Sequence, residues 1–112
     1  MNRTEGQIQA QVLLEASRLG LRVFRNHTGR VQDKRNQWHN FGLCKGSSDI
    51  IGITPCGRFV AIEVKRFGGR ATKEQESFID MVSSRGGFAC IIDDEKKLEE
   101  IYKKWLDNSQ QV

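Results

Sequence analysis

Between residues 49 and 65 two short apolar runs stand back to back across a turn, and charge gathers where they end. The first run is Ile50, Ile51, Gly52 and Ile53; the second is Phe59, Val60, Ala61, Ile62, Glu63 and Val64, with Thr54, Pro55, Cys56 and Gly57 between them. β-Branched runs of this length, separated by Pro and Gly, predict adjacent strands of a hairpin. With the turn centred on Cys56, cross-strand partners have numbers that sum to 112, which sets Asp49 opposite Glu63. Side chains on a strand repeat every two residues, so Lys65 follows Glu63 on the same face. Two carboxylates and an amine therefore converge at one end of an otherwise apolar pair of strands.

Charge in such a place is costly unless it is paired or coordinates a metal. Two readings are open on geometry alone. In one, Asp49 and Glu63 form a salt bridge with Lys65 that caps the sheet. In the other, the carboxylates hold Mg²⁺ through hard oxygen ligands, with Lys65 beside the attacking water. Phosphodiester cleavage needs the second set: a cation to neutralise phosphate charge and acidify water, and a lysine to orient the nucleophile or steady developing charge.

Upstream, Thr4-x-x-Gln7 is a capping-box pattern that opens a helix. Ile8, Val12, Ala16 and Leu19 form its apolar stripe and Gly20 its stop. Glu5 projects within that stripe, one turn above Ile8, whereas Glu15 falls near the margin; a Glu this close to a helix N-terminus is commonly stabilised by the dipole alone. Residues 21–24 predict a short strand that leads into Arg25, Asn26 and His27. Residues 27–48 show no period and are expected to form a long loop, holding Arg30, Lys34, Arg35 and Lys45 among Trp38, His39 and Phe41. Long loops tend to be functional or mobile. Basic residues interleaved with aromatics suit phosphate contact and base stacking; the alternative is a solvated loop pinned to the core by Trp38 and Phe41.

Downstream of the hairpin, Arg66-Phe67-Gly68-Gly69-Arg70 is a basic turn placed either to follow a phosphate backbone or simply to join strand to helix. Thr72-x-x-Gln75 is a second capping box, with Phe78, Ile79 and Val82 as a buried face and Gly86-Gly87 as the stop. Gln75 has two roles open to it, cap and substrate contact. Residues 88–92 predict a strand reached by a helical crossover, hence parallel to the strand before it. Asp94 is expected to cap a last helix with Leu98, Ile101, Tyr102, Trp105 and Leu106 on one face, supported by Glu99–Lys103 and Glu100–Lys104 at i,i+4. Residues 108–112 are expected to be a frayed tail.

Asp49 followed by Glu63-Val64-Lys65 resembles the D…(D/E)-x-K signature of the PD-(D/E)XK nuclease superfamily. The wider pattern is similar to its VRR-NUC branch, the virus-type replication-repair nucleases. The matching residues are Thr4-Glu5 with Ile8-Gln9, then Arg25-Asn26 with Thr28-Gly29, then Gly46-x-x-Asp49-Ile50-Ile51-Gly52. Gly57-Arg58-Phe59, Ala61-Ile62-Glu63-Val64-Lys65, and Gln75-x-x-Phe78 before Gly86-Gly87 complete the set, which reaches to about Ile92. Ser48 departs from it, standing where the family commonly has proline.

The resemblance implies an α/β, restriction-endonuclease-like fold with an αβββαβ core, a mixed central sheet flanked by helices, in a single nuclease domain over residues 1–112. It implies Mg²⁺, with Mn²⁺ able to substitute, held by Asp49, Glu63, Glu5 and the Val64 carbonyl, with Lys65 as the catalytic amine. DNA contact is expected from Arg25, Asn26, Lys34, Arg35, Lys45, Ser47, Arg66, Arg70, Lys73 and Gln75. The implied activity is endonucleolytic cleavage of DNA, resolvase-like on four-way (Holliday) junctions in replication or repair, by a homodimer. Competing readings are a DNA-binding subunit of a replication complex that does not cleave, and a general or RNA-directed nuclease.

Composition narrows the rest. A chain of 112 residues, 38% hydrophobic and 29% charged, suits one small globular domain. It holds no long apolar run and its N-terminus is polar, so a cytoplasmic protein is expected, and the resemblance implies a bacterial or phage-infected cell. Cys44, Cys56 and Cys90 are odd in number and lack CxxC spacing, which argues against a disulfide framework and a zinc ribbon. Free thiols are expected, with a mixed zinc site from His27, His39 and Cys44 as the alternative. A net charge of +4 and a pI near 9.2 favour an anionic partner such as nucleic acid.

Overall fold

The computed structural model describes residues 2–109. The elements in chain order are α1 (Glu5–Arg18), β1 (Arg22–Arg25), β2 (Gly29–Gln32), β3 (Trp38–Phe41), β4 (Ile50–Ile53), β5 (Phe59–Val64), α2 (Lys73–Ser84), β6 (Phe88–Ile92), a 3-10 turn (Glu95–Lys97) and α3 (Leu98–Ser109). Both capping boxes form: Thr4 Oγ1 accepts Gln7 N–H while Gln7 Oε1 accepts Thr4 N–H, and Thr72 and Gln75 repeat the exchange. Each box satisfies two donors that a bare helix end would leave unpaired. Asp94 caps the 3-10 turn, accepting Lys96 N–H, rather than α3 directly. α3 runs to Ser109, two residues into the expected tail; the rest of that tail lies outside the described residues.

The β4–β5 hairpin has the register that its turn dictates. Ile50 pairs with Ile62, Ile51 with Ala61, Gly52 with Val60 and Ile53 with Phe59. Thr54 closes the turn from both sides, its N–H donating to Arg58 O and its hydroxyl accepting Arg58 N–H. Gly57, at φ 88°, supplies the left-handed residue that such a turn needs. β1 extends the sheet antiparallel to β4, and β6 lies parallel to β5 after the crossover through α2, giving the order β1-β4-β5-β6. The result is a mixed four-stranded sheet with three helices, as in restriction-endonuclease-like folds.

Alternation along β5 divides the core. Val60, Ile62 and Val64 face α1 and α3, packing with Ile8, Val12, Phe88, Leu98 and Tyr102. Ala61 faces the other way, toward Phe78, Ile79 and Val82 of α2. Trp105 closes the α3 side: its ring stacks on Tyr102 and meets Phe88 edge-on, and its Nε1 donates to Gly87 O at 3.0 Å.

The expected long loop is in part a hairpin. β2 and β3 form a separate two-stranded antiparallel sheet. Its turn is built by Asp33, whose carboxylate accepts the N–H groups of Arg35 and Gln37, with Asn36 at φ 65°. Trp38 and Phe41 do not pin it to the core, being 56% and 47% exposed. No helix among the described residues is long and apolar enough to cross a membrane.

Candidate active site

Asp49 immediately precedes β4, and Glu63 lies near the end of β5, so the observed register carries on to set them opposite each other. Asp49 Oδ2 accepts the peptide N–H of Val64 at 2.9 Å, tying the carboxylate to the neighbouring strand. Glu63 shares its face of the sheet with Ala61, and Lys65 follows on that face, the one that α2 covers. Lys65 Nζ stands 3.2 Å from Glu63 Oε2, their side chains 13% and 1% exposed. The structure thus gathers Asp49, Glu63 and Lys65.

Lys65 balances the charge of Glu63 without satisfying it. The contact lacks hydrogen-bond geometry, and neither Glu63 oxygen has a hydrogen-bond partner among the described residues. An unpaired buried acceptor typically costs about 1–3 kcal/mol, and more when charged. Burial pushes the Glu63 carboxyl up and the adjacent Asp49 carboxylate pushes it further, while Lys65 offsets part of the rise, leaving it at about 7. Two hard-oxygen side chains, one with both oxygens unpartnered, make the donor set that Mg²⁺ takes.

The loop leading into Asp49 is held from two sides. Asn26 N–H donates to Asp49 O at 2.7 Å, and Asn26 Nδ2 donates to Ser47 Oγ at 2.8 Å and Ser48 O at 2.9 Å. Gly46, at φ 83°, lets the segment press on α2: a Cβ there would stand 2.7 Å from Glu74 O. Asn26 and Ser47 are therefore turned toward each other, and their observed role is to position Asp49. Nothing in the sequence separates that role from DNA contact, because an Asn at a strand end suits both. Ser48, where the resemblance has proline, is fully buried, its hydroxyl without a hydrogen-bond partner among the described residues.

Glu5 is not gathered with the pair. Among the described residues no three His, Cys, Asp or Glu side chains converge to hold a metal. Its helix packs on the Val60–Ile62–Val64 face of β5, opposite to that of Glu63. Glu5 instead lines a hollow of about 620 Å³ at the same end of the sheet, whose other wall is Arg66, Phe67, Gly68 and Gly69. The zinc alternative has no support either: all three thiols are free, and His39 Nε2 bonds Asp33 Oδ2 at 2.7 Å.

Of the residues expected to meet DNA, Lys34, Arg35, Lys45, Arg66, Arg70 and Lys73 are exposed. Arg25 is exposed but bonded to Gln9 Oε1 at 3.0 Å, and Gln75 is engaged as the cap of α2. A hollow of about 730 Å³ holds none of the acidic residues; it lies at the Cys56–Phe59 end of the hairpin and is mainly apolar, with Phe59, Phe78 and Met81 among its walls. Asp49, Glu63 and Lys65 gather at the opposite end of β5.

No curated protein and no solved structure matches the chain. The model of the VRR-NUC domain matches residues 5–93, a span that opens with Glu5 and contains Asp49, Glu63 and Lys65. With most of its length accounted for in this way, the chain belongs to the VRR-NUC family of nucleases.

Proposed function

We propose that the protein is a divalent-metal-dependent DNA endonuclease whose centre is Asp49, Glu63 and Lys65. The observation that carries this reading is the buried Glu63 carboxylate, set beside a second carboxylate and 3.2 Å from Lys65 Nζ with neither oxygen hydrogen-bonded among the described residues. Asp49 and Glu63 would hold Mg²⁺ or Mn²⁺ with the Val64 carbonyl, and Glu5, at the same end of the sheet but not gathered with them, would be a more remote oxygen donor. When bound, the cation neutralises charge on the scissile phosphate and makes water a better nucleophile. Val64 N–H fixes the orientation of Asp49, Asn26 holds the backbone that delivers it, and Lys65 orients the attacking water or steadies the developing charge. Exposed Lys34, Arg35, Lys45, Arg66, Arg70 and Lys73 supply phosphate contacts. Selectivity for branched DNA, four-way junctions above all, and a homodimer that presents paired centres complete the reading.

The Lys65–Glu63 pair favours a second reading, a salt bridge in a protein that binds DNA without cutting it. Labelled linear, flapped and four-way DNAs incubated with purified protein, with and without Mg²⁺ or Mn²⁺, decide between them. Metal-dependent cleavage, strongest on the four-way DNA, is expected; binding with no cleavage under either metal would overturn the nuclease reading.

A further inference from the structure

The β2–β3 hairpin has two unlike faces. Gly29, Val31, His39 and Phe41 share one, on which Phe41 lies over Gly29 and His39 bonds Asp33. Arg30, Gln32, Trp38 and Asn40 share the other. Gln32 Nε2 is engaged with Asn36 O at 3.1 Å. The Arg30 guanidinium lies over the Trp38 ring, 5.0 Å from its centroid, which steadies an indole that is more than half exposed.

Charge identifies the kind of partner. Residues 22–48 carry six Lys or Arg and a single acid, Asp33, a balance of +5. The whole chain carries 18 basic and 14 acidic residues, +4, so everything outside that segment comes to −1. The net positive charge of the protein resides in the hairpin and its flanks, as for a surface that meets a polyanion. A base inside a continuous duplex has both faces covered by its neighbours, so an indole can stack only where a base face is free.

We propose that Trp38, flanked by Arg30 and Asn40, stacks on an unstacked base, so that the hairpin selects nucleic acid interrupted or single-stranded beside the cut. This rests on the nuclease reading of Asp49, Glu63 and Lys65 and names the substrate feature that centre receives.

The test uses the full chain in EDTA and two DNAs of one sequence, a continuous duplex and the same duplex with a short single-stranded gap. Trp38→Leu should weaken binding to the gapped DNA roughly ten- to a hundredfold and to the continuous duplex by less than about threefold, with Trp38→Phe recovering most of the loss. In a Trp105→Phe background, Trp38 fluorescence should be quenched by gapped DNA and not by the continuous duplex. Equal losses on both DNAs, or no quenching, would overturn the proposal. So would a Trp38→Leu protein that binds both DNAs normally but no longer self-associates, because the face would then be a protein contact. A wild-type protein that quenches on gapped DNA yet never cleaves with Mg²⁺ would sustain the stacking face and end the nuclease reading. Cleavage by wild type with unchanged binding by Trp38→Leu would do the reverse.

Discussion

Five of the six residues of β5 are buried, whereas seven of the eight in β2 and β3 are exposed. β5 lies between two strands and is covered on both faces, so its side chains have no freedom to trade. Tight packing of this kind can hold two carboxylates beside each other that would otherwise move apart. The β2–β3 hairpin is held by its own ladder, its Asp33 turn and the Arg30–Trp38 contact. Rigid burial serves chemistry at a fixed point, and an exposed ribbon serves contact with something that arrives from solution. The difference predicts that damage to the sheet will be read in rate and stability, and damage to the hairpin in affinity.

The hardest test of that division is at the carboxylates. Asp49→Asn and Glu63→Gln keep size and remove charge, so each should cut metal-dependent cleavage by on the order of a thousandfold or more while leaving the protein folded. Folded variants that cleave at the wild-type rate would break the comparison at its centre. Glu5→Gln should cause a smaller, partial loss and Glu15→Gln almost none; the opposite order would place the third carboxylate elsewhere on α1.

Lys65→Ala comes next. Single-turnover cleavage should fall roughly a hundred- to a thousandfold with DNA binding retained, and Lys65→Arg should not rescue it, because a planar guanidinium cannot replace a compact amine. Reduced melting with near-normal cleavage would make Lys65 the structural partner of Glu63 and nothing more.

In the hairpin and its neighbourhood the effects should change in kind. Replacing Lys34, Arg35, Lys45 and Arg70 together by Ala should weaken DNA binding and lower the salt dependence, by nearly one unit of slope for each phosphate no longer neutralised. Melting should move little, since these side chains are exposed. An unchanged salt slope would mean that the basic surface touches no phosphate.

The smallest expected effect concerns protons. Glu63 is raised from 4.5 to about 7 in the folded protein, so between those values the folded state binds the proton that the unfolded state releases. Its contribution to metal-free stability is therefore full below about pH 4.5 and lost as pH rises through 7. At pH 8 without metal, Glu63→Gln should melt higher than wild type, on the order of 5 °C, and the gap should close toward pH 5. A variant that melts lower at pH 8 would show that Lys65 fully compensates the charge.

Where burial imposes a pattern, the sequence discloses it. The β4–β5 register follows from where Pro55 and Gly57 sit between two apolar runs. Both capping boxes follow from Thr and Gln three apart, and the parallel β6 follows from the crossover. The β2–β3 hairpin escapes because alternation marks a strand only when one face is buried, and here neither is. Its one signal is Asp33 three residues before Asn36, a pair suited to a tight turn. At the site, strand parity brings Asp49, Glu63 and Lys65 together, but it says nothing of Glu5, whose stripe faces the opposite side of the sheet. Asn26 is legible as a polar residue at a strand end and not as the clamp on Asp49, since its partners Ser47 and Ser48 lie more than twenty positions away.

The hydrogen bond from Val64 N–H to Asp49 bears on how the protein is made. It links two strands, and the second is covered on its far side only when β6 has docked. A ribosome must therefore release the chain through Ile92 before both carboxylates stand in their final places. Unfinished or misfolded copies carry the acidic residues without the arrangement. The paired carboxylates of the nuclease are in this way incomplete until β6 is in place.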